Sequence, residues 1–151
     1  MAFQRLAMLV ASWCLILLAA CHSGPPAPAP LDTANDACSF CRMAVSDRHF
    51  AVQVVAPGEE PLFFDDLGCL AHYFEGGGRV GEGAVTWVAD HRTAAWVRAE
   101  SATYTEVPGL WTPMRSQLIA HADAASRGAD PAAAGGSPRT WAEVLGRKGS
   151  P

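Results

Sequence analysis

The stretch Leu62-Phe63-Phe64-Asp65-Asp66-Leu67-Gly68-Cys69-Leu70-Ala71-His72-Tyr73-Phe74-Glu75-Gly76-Gly77-Gly78 decides the fold class. It opens with an apolar, β-like run, and Asp66 then stands as an N-cap before a helix carrying Leu67, Leu70, Ala71 and Phe74 on one face. The glycine triplet stops that helix. Upstream, Phe50, Val52 and Val54 alternate with Ala51, Gln53 and Val55, and downstream Val85-Thr86-Trp87-Val88 is again β-like. The first half therefore reads β-β-α-β.

The second half repeats the order. Ala95-Trp96-Val97-Arg98-Ala99 and Ala102-Thr103-Tyr104-Thr105 are strand candidates, and Ser116 caps an expected helix that buries Leu118, Ile119, Ala122 and Ala125 and ends at Gly128. A shift of 49 residues lays Leu70-Ala71-His72 over Ile119-Ala120-His121, a hint of duplication. The expected class is α+β, with two similar small ββαβ units over about residues 36–92 and 93–127 packed together.

The flanks read differently. Arg5 precedes an apolar run from Leu6 to Ala20 that is short for a membrane span and ends in small residues, as signal peptides do. Leu18-Ala19-Ala20-Cys21 is a lipobox, so residues 1–20 are an expected lipoprotein signal peptide, removed together with Cys14, and Cys21 is the lipidated N-terminus. His22 rather than Asp after that cysteine fits sorting to the outer membrane in a cell with two membranes. Residues 21–35 are a tether in which Pro25, Pro26, Pro28 and Pro30 favour an extended polyproline path of about 3.1 Å per residue. Residues 128–151 read as a flexible tail. Within it, Thr140 and Glu143 have capping-box spacing for a short helix, with Trp141 packed back on the domain.

Composition narrows the function. The 151 residues carry 11 basic and 15 acidic side chains, and Arg5 alone among the charged residues lies in the first 20. The remaining chain is more acidic still, and no basic patch points to nucleic acid. One domain's length remains after cleavage, held to a membrane by acyl chains rather than by surface charge.

Three cysteines remain beyond Cys14 and Cys21: Cys38, Cys41 and Cys69. In an oxidising compartment an odd number leaves at least one thiol free, metal-bound or paired with another chain. Cys38-x-x-Cys41 alone serves redox, metal and structural roles equally well. Met43 changes the balance, because a thioether two residues from Cys41 shares its side of an extended segment, and Cu(I) accepts thiolate and thioether together. Cys69 sits near the start of the expected helix, where dipole and acidic neighbours pull its thiol in opposite directions.

The motifs Asp36-Ala-Cys-Ser-Phe-Cys-Arg-Met43, Phe63-Phe-Asp-Asp-Leu-Gly-Cys69 and Thr112-Pro-Met114 together resemble, in order and spacing, the NosL lipoproteins of nitrous-oxide reductase assembly. The resemblance spans roughly Asp36 to Ala125. It implies a periplasmic Cu(I) chaperone that binds and transfers rather than catalyses, with nitrous-oxide reductase and its membrane transporter complex as partners. It also implies two ββαβ units related to organomercurial lyase. On the family's Cys-x-x-Cys-Gly-Met pattern the implied ligands are Cys41, Met43 and Met114, with Cys38 beside them. The chain departs from the family at two places, with Arg42 where glycine is usual and Arg115 after Met114 where glycine is common.

Histidines are rivals for a remaining coordination position. His49 follows the sulfur cluster, His72 and His121 occupy equivalent places in the repeat, and His91 lies in a turn, with His49 and His121 the better candidates. Two other classes stay open. A thiol–disulfide oxidoreductase would use Cys38 and Cys41, and a structural zinc module would use Cys38, Cys41, Cys69 and one histidine.

Overall fold

The computed structural model describes residues 24–146. The expected signal peptide, the expected lipidation site Cys21 and His22 lie outside them. The fold is α+β, with two antiparallel sheets and short helices. In chain order the elements are β1 (Val52–Val55), β2 (Leu62–Phe64), α1 (Leu67–Glu75), β3 (Val85–Ala89), β4 (Trp96–Arg98), β5 (Thr103–Glu106), β6 (Leu118–His121), α2 (Ala124–Gly128), β7 (Ser137–Arg139) and α3 (Trp141–Val144). The first sheet runs β2-β1-β3-β4 and the second β6-β5-β7.

The first sheet forms where alternation foretold it. Val52 stands opposite Phe64 on one side and Val88 on the other, and all three are buried. Gln53, on the opposite face, is also fully buried, which requires partners for its amide. They come from the Pro-rich segment: Gln53 Oε1 accepts the Ala29 N–H at 2.7 Å and its Nε2 donates to the Ala29 carbonyl at 3.1 Å. Leu31 is buried in the core, and Arg48 donates to its carbonyl. The last residues of the expected tether are thus part of the domain.

Asp66 caps α1 as expected, its Oδ1 accepting the Cys69 N–H at 3.0 Å, and the helix ends before Gly76. It buries Leu67 and Leu70 against a core that includes Phe64, Val144 and Leu145.

The second half departs from expectation twice: its first expected strand, β4, pairs with β3 and belongs to the first sheet, and its expected helix does not form. Leu118–His121 is strand β6, with Leu118 opposite Glu106 and His121 opposite Thr103. Arg115 and Gln117 have φ of +57° and +59°, a left-handed kink from which no right-handed helix can start at Ser116. The helix begins only at Asp123, whose side chain accepts the Ser126 N–H at 2.8 Å. His72 on a helix and His121 on a strand are consequently not equivalent. A 3-10 turn at Ala99–Ser101 carries the chain from β4 into β5, and Tyr104 locks this corner by donating its hydroxyl to the Ala99 carbonyl at 2.6 Å.

The segment after Gly128 folds as well. It makes a 3-10 turn at Pro131–Ala133 and then β7, in which Arg139 stands opposite Tyr104. The capping box at Thr140 and Glu143 is present, and the Trp141 ring stacks on Tyr104 at 5.4 Å. The folded region therefore continues past 127 to the end of the described residues.

Candidate metal centre

Cys38 to Met43 form a tight loop laid against β2. Ala37 and Ala44 make an isolated antiparallel bridge, the Cys38 N–H donates to the Met43 carbonyl at 2.8 Å, and the Ser39 N–H donates to the Phe63 carbonyl at 2.7 Å. Closing so short a loop requires a left-handed residue, and Arg42 takes it with φ of +67°. Arg115 is likewise left-handed. Positions 42 and 115 are thus places where glycine would be the unstrained choice.

The loop sets Cys38 and Cys41 beside Cys69 on the first turn of α1. The three sulfurs lie within 4.8 Å of one another, so Cys38, Cys41 and Cys69 form a cluster able to hold a metal ion. Cys38 and Cys69 are fully buried and Cys41 is half-buried, all three as free thiols. Cys69 is therefore a member of the cluster rather than an inert core cysteine.

The three thiols are not alike. A hydrogen bond from Cys69, aided against burial by the backbone amides of Cys41, Asp65 and Phe40, pulls the Cys38 thiol down to about 5. The Cys41 N–H lies 3.5 Å from the Cys38 sulfur. Cys69 is pushed up because it gives its proton to that bond and is buried, and Cys41 is pushed up chiefly by burial and then by the charge on Cys38. Of the three thiols, Cys38 is the one favoured as thiolate, and the other two favour their protonated forms.

Asp66 joins this cluster to the second half of the chain. Besides capping α1, it accepts at Oδ2 the Thr112 hydroxyl at 3.0 Å, the Met114 N–H at 3.0 Å and the Ser116 hydroxyl at 2.9 Å. One fully buried carboxylate therefore holds the backbone of Cys69 and that of Met114. Gly68 is required for the approach, since a Cβ there would sit 2.8 Å from the Ser116 Cβ. The Thr-Pro-Met motif and the Asp-Asp-Leu-Gly-Cys motif are two sides of one joint.

Outside the cluster lies an open groove of about 590 Å³ whose walls include Met43, Asp65, Trp111 and Pro113. Met43 is 50% exposed and Trp111 70%, while Met114 is partly buried against the core. Asp65 is pushed up to about 6 by burial and then by the charges of Cys38 and Asp66, and its Oδ1 is buried without a partner.

The histidines do not join the sulfurs. His72 pairs with Glu75 at 3.0 Å and stacks on Phe40. His121 lies with His91 and Asp130 in a separate group, and His49 contacts the His91 carbonyl through Nδ1 at 2.6 Å. Asp130 carried no sequence signal as a site residue and Asp66 none beyond its N-cap role, because the partners that define them, 9 to 50 residues away, come together only in the fold. Comparison with protein-family models, with curated proteins and with solved structures finds no match.

Proposed function

We propose that this protein is a membrane-anchored, extracytoplasmic Cu(I) carrier that binds copper at the Cys38, Cys41 and Cys69 cluster and passes it on through Met43. The observation that carries the reading is a cluster of three soft donors, two buried and Cys41 half-buried, with an exposed thioether, Met43, two residues from Cys41 in sequence and on the wall of an open groove. Cu(I) is soft and takes thiolate and thioether alike, whereas zinc favours four closed ligands and gains nothing from a half-exposed methionine.

The Cys38 thiolate receives the ion first, and a second cysteine then loses its proton to complete a low-coordinate site. Met43, unable to form a disulfide, is the donor a client's ligands meet first. Met114, held by Asp66 beside Cys69, is a further thioether for transit. The lipid on Cys21 and the Pro-rich segment confine the carrier to a layer near the membrane, the outer one on the His22 pattern, and raise its effective concentration there. The client we infer is nitrous-oxide reductase with its transporter complex, following the motif resemblance. In keeping with that resemblance we read the fold as two ββαβ units, β1-β2-α1-β3 and β5-β6-α2-β7. The shared strand order and the aspartate that caps each helix two residues after its strand support this.

One observation favours a second reading. A cysteine with a lowered thiol and a second cysteine three residues along is also the start of a disulfide exchange site. Anaerobic Cu(I) titration of the reduced full chain against a competing chelator separates the two. Copper binding at one equivalent, weakened in Cys38→Ser and Cys69→Ser, with transfer to an acceptor slowed in Met43→Ala, supports the carrier. Unchanged copper affinity in both cysteine variants, or insulin reduction abolished by Cys38→Ser in a protein that holds no copper, refutes it.

A further inference from the structure

We propose that His91, His121 and Asp130 form a second metal site, for a borderline divalent ion of the zinc type, separate from the sulfur cluster. Asp130 Oδ2 accepts from His91 Nδ1 at 2.6 Å and from His121 Nε2 at 3.0 Å. The three donor atoms lie within 4.8 Å of one another. A tetrahedral ion with bonds of about 2.0–2.1 Å needs donors about 3.3 Å apart, so the two short edges open by a few tenths of an ångström to admit it.

Each ligand rests on fixed backbone. His91 follows β3 in a turn organised by buried Asp90, and its N–H donates to the Ala120 carbonyl at 2.8 Å. His121 ends β6 and is fully buried. Asp130 caps the 3-10 turn after α2, its Oδ1 accepting the Ala132 N–H at 2.9 Å, which leaves Oδ2 for the rings. Such outer hydrogen bonds orient ligands in built metal sites. A depression of about 330 Å³ walled partly by Asp130 offers a way in, and the His91 side chain keeps 15% of its surface exposed.

Two imidazoles and a carboxylate are the donors of zinc and copper(II), not of Cu(I), calcium or magnesium. Binding moves the proton of each ring from the nitrogen facing Asp130 to the other nitrogen. In His121 that other nitrogen, Nδ1, is buried and unpartnered. Only an ion that bonds strongly to imidazole offsets this, which again selects the zinc type over hard cations.

The test uses the full chain with its thiols reduced. Zinc is titrated against a chromophoric chelator, and bound zinc is read by K-edge absorption. A zinc equivalent with only nitrogen and oxygen neighbours at about 2.0–2.1 Å and the outer scattering of two imidazoles is expected. His91→Ala and Asp130→Asn lose that equivalent, with affinity falling at least about 100-fold, while His72→Ala and Cys38→Ser retain it. Zinc raises the melting temperature of Cys38→Ser and not of the Cys38→Ser, Asp130→Asn double variant. Bound zinc with sulfur neighbours only, or a nitrogen and oxygen shell that persists in His91→Ala, overturns the proposal. Neither outcome depends on where copper binds.

Discussion

Replacing Asp66 by asparagine tests the joint between the two motifs. The new side chain keeps an oxygen for the Cys69 N–H, and asparagine caps helices about as well as aspartate, so α1 itself loses little. The damage falls at Oδ2, where an NH2 group now faces the Thr112 hydroxyl, the Met114 N–H and the Ser116 hydroxyl. The hydroxyls can rotate to accept, each exchanging a charge-assisted bond for a neutral one at a loss of about 1 kcal/mol. The Met114 N–H cannot rotate and loses its only described partner, which adds about 1–3 kcal/mol. The expected destabilisation is about 3–5 kcal/mol, a large part of the roughly 5–15 kcal/mol of a typical domain. Urea denaturation followed by tryptophan fluorescence measures it. Stability within about 1 kcal/mol of wild type, with the same dependence on urea, refutes the claim that Asp66 holds the Met114 loop.

The left-handed arginine at position 42 makes a second prediction. Arg42→Gly relieves roughly 1–2 kcal/mol of backbone strain against about 0.5–1 kcal/mol of glycine entropy, so the urea midpoint should rise by an equivalent of about 0.5–1 kcal/mol, and a fall contradicts the assignment. A third concerns Tyr104, whose hydroxyl is pushed above the ordinary value of 10.0 by burial and by Glu100. The unfolded chain releases this proton above pH 10 and the native chain does not, so stability contributed by Tyr104 is complete below that pH and is lost as pH rises. The slope is about 1.4 kcal/mol per pH unit, and Tyr104→Phe should flatten it while weakening the fold at neutral pH through loss of the bond to Ala99. Equal alkaline slopes for the two proteins, measured by urea titration between pH 9 and 11, would show that the hydroxyl ionises freely.

Much of the first sheet was legible in the chain because its physics is local. Alternation marked Val52 and Val54, Asp66 announced α1 and Gly76 closed it. The same reasoning failed at Leu118, where the spacing of apolar residues fits a helix but left-handed Arg115 and Gln117 deliver the chain to β5 as a strand. No local signal forecasts which conformation a kink will impose. The tail misled through composition, since Ala and Gly around 128–136 resemble a linker, yet Pro138 stands opposite Thr105 on a third strand.

The site divided along the same line. Cys38 and Cys41 sit close in sequence, and their nearness was readable from spacing. Cys69 joined them only because the loop docks on β2 immediately before α1. Which thiol is lowered was hidden, because that rests first on the hydrogen bond between Cys69 and Cys38 and only then on the backbone amides. His121 drew attention for a resemblance to His72 that the fold dissolves, and its true neighbours, His91 and Asp130, come from turns that no motif connects.

The amides that surround Cys38 have one further effect. On the proposed carrier role, giving the ion away leaves a sulfur stripped of its cation and exposed to oxidants and to recapture. The charge on Cys38 would then be met by the Cys69 thiol, once its proton has returned, and by the N–H groups of Cys41, Asp65 and Phe40. The emptied state would need only that proton back, which weakens the pull of the vacant site on the ion.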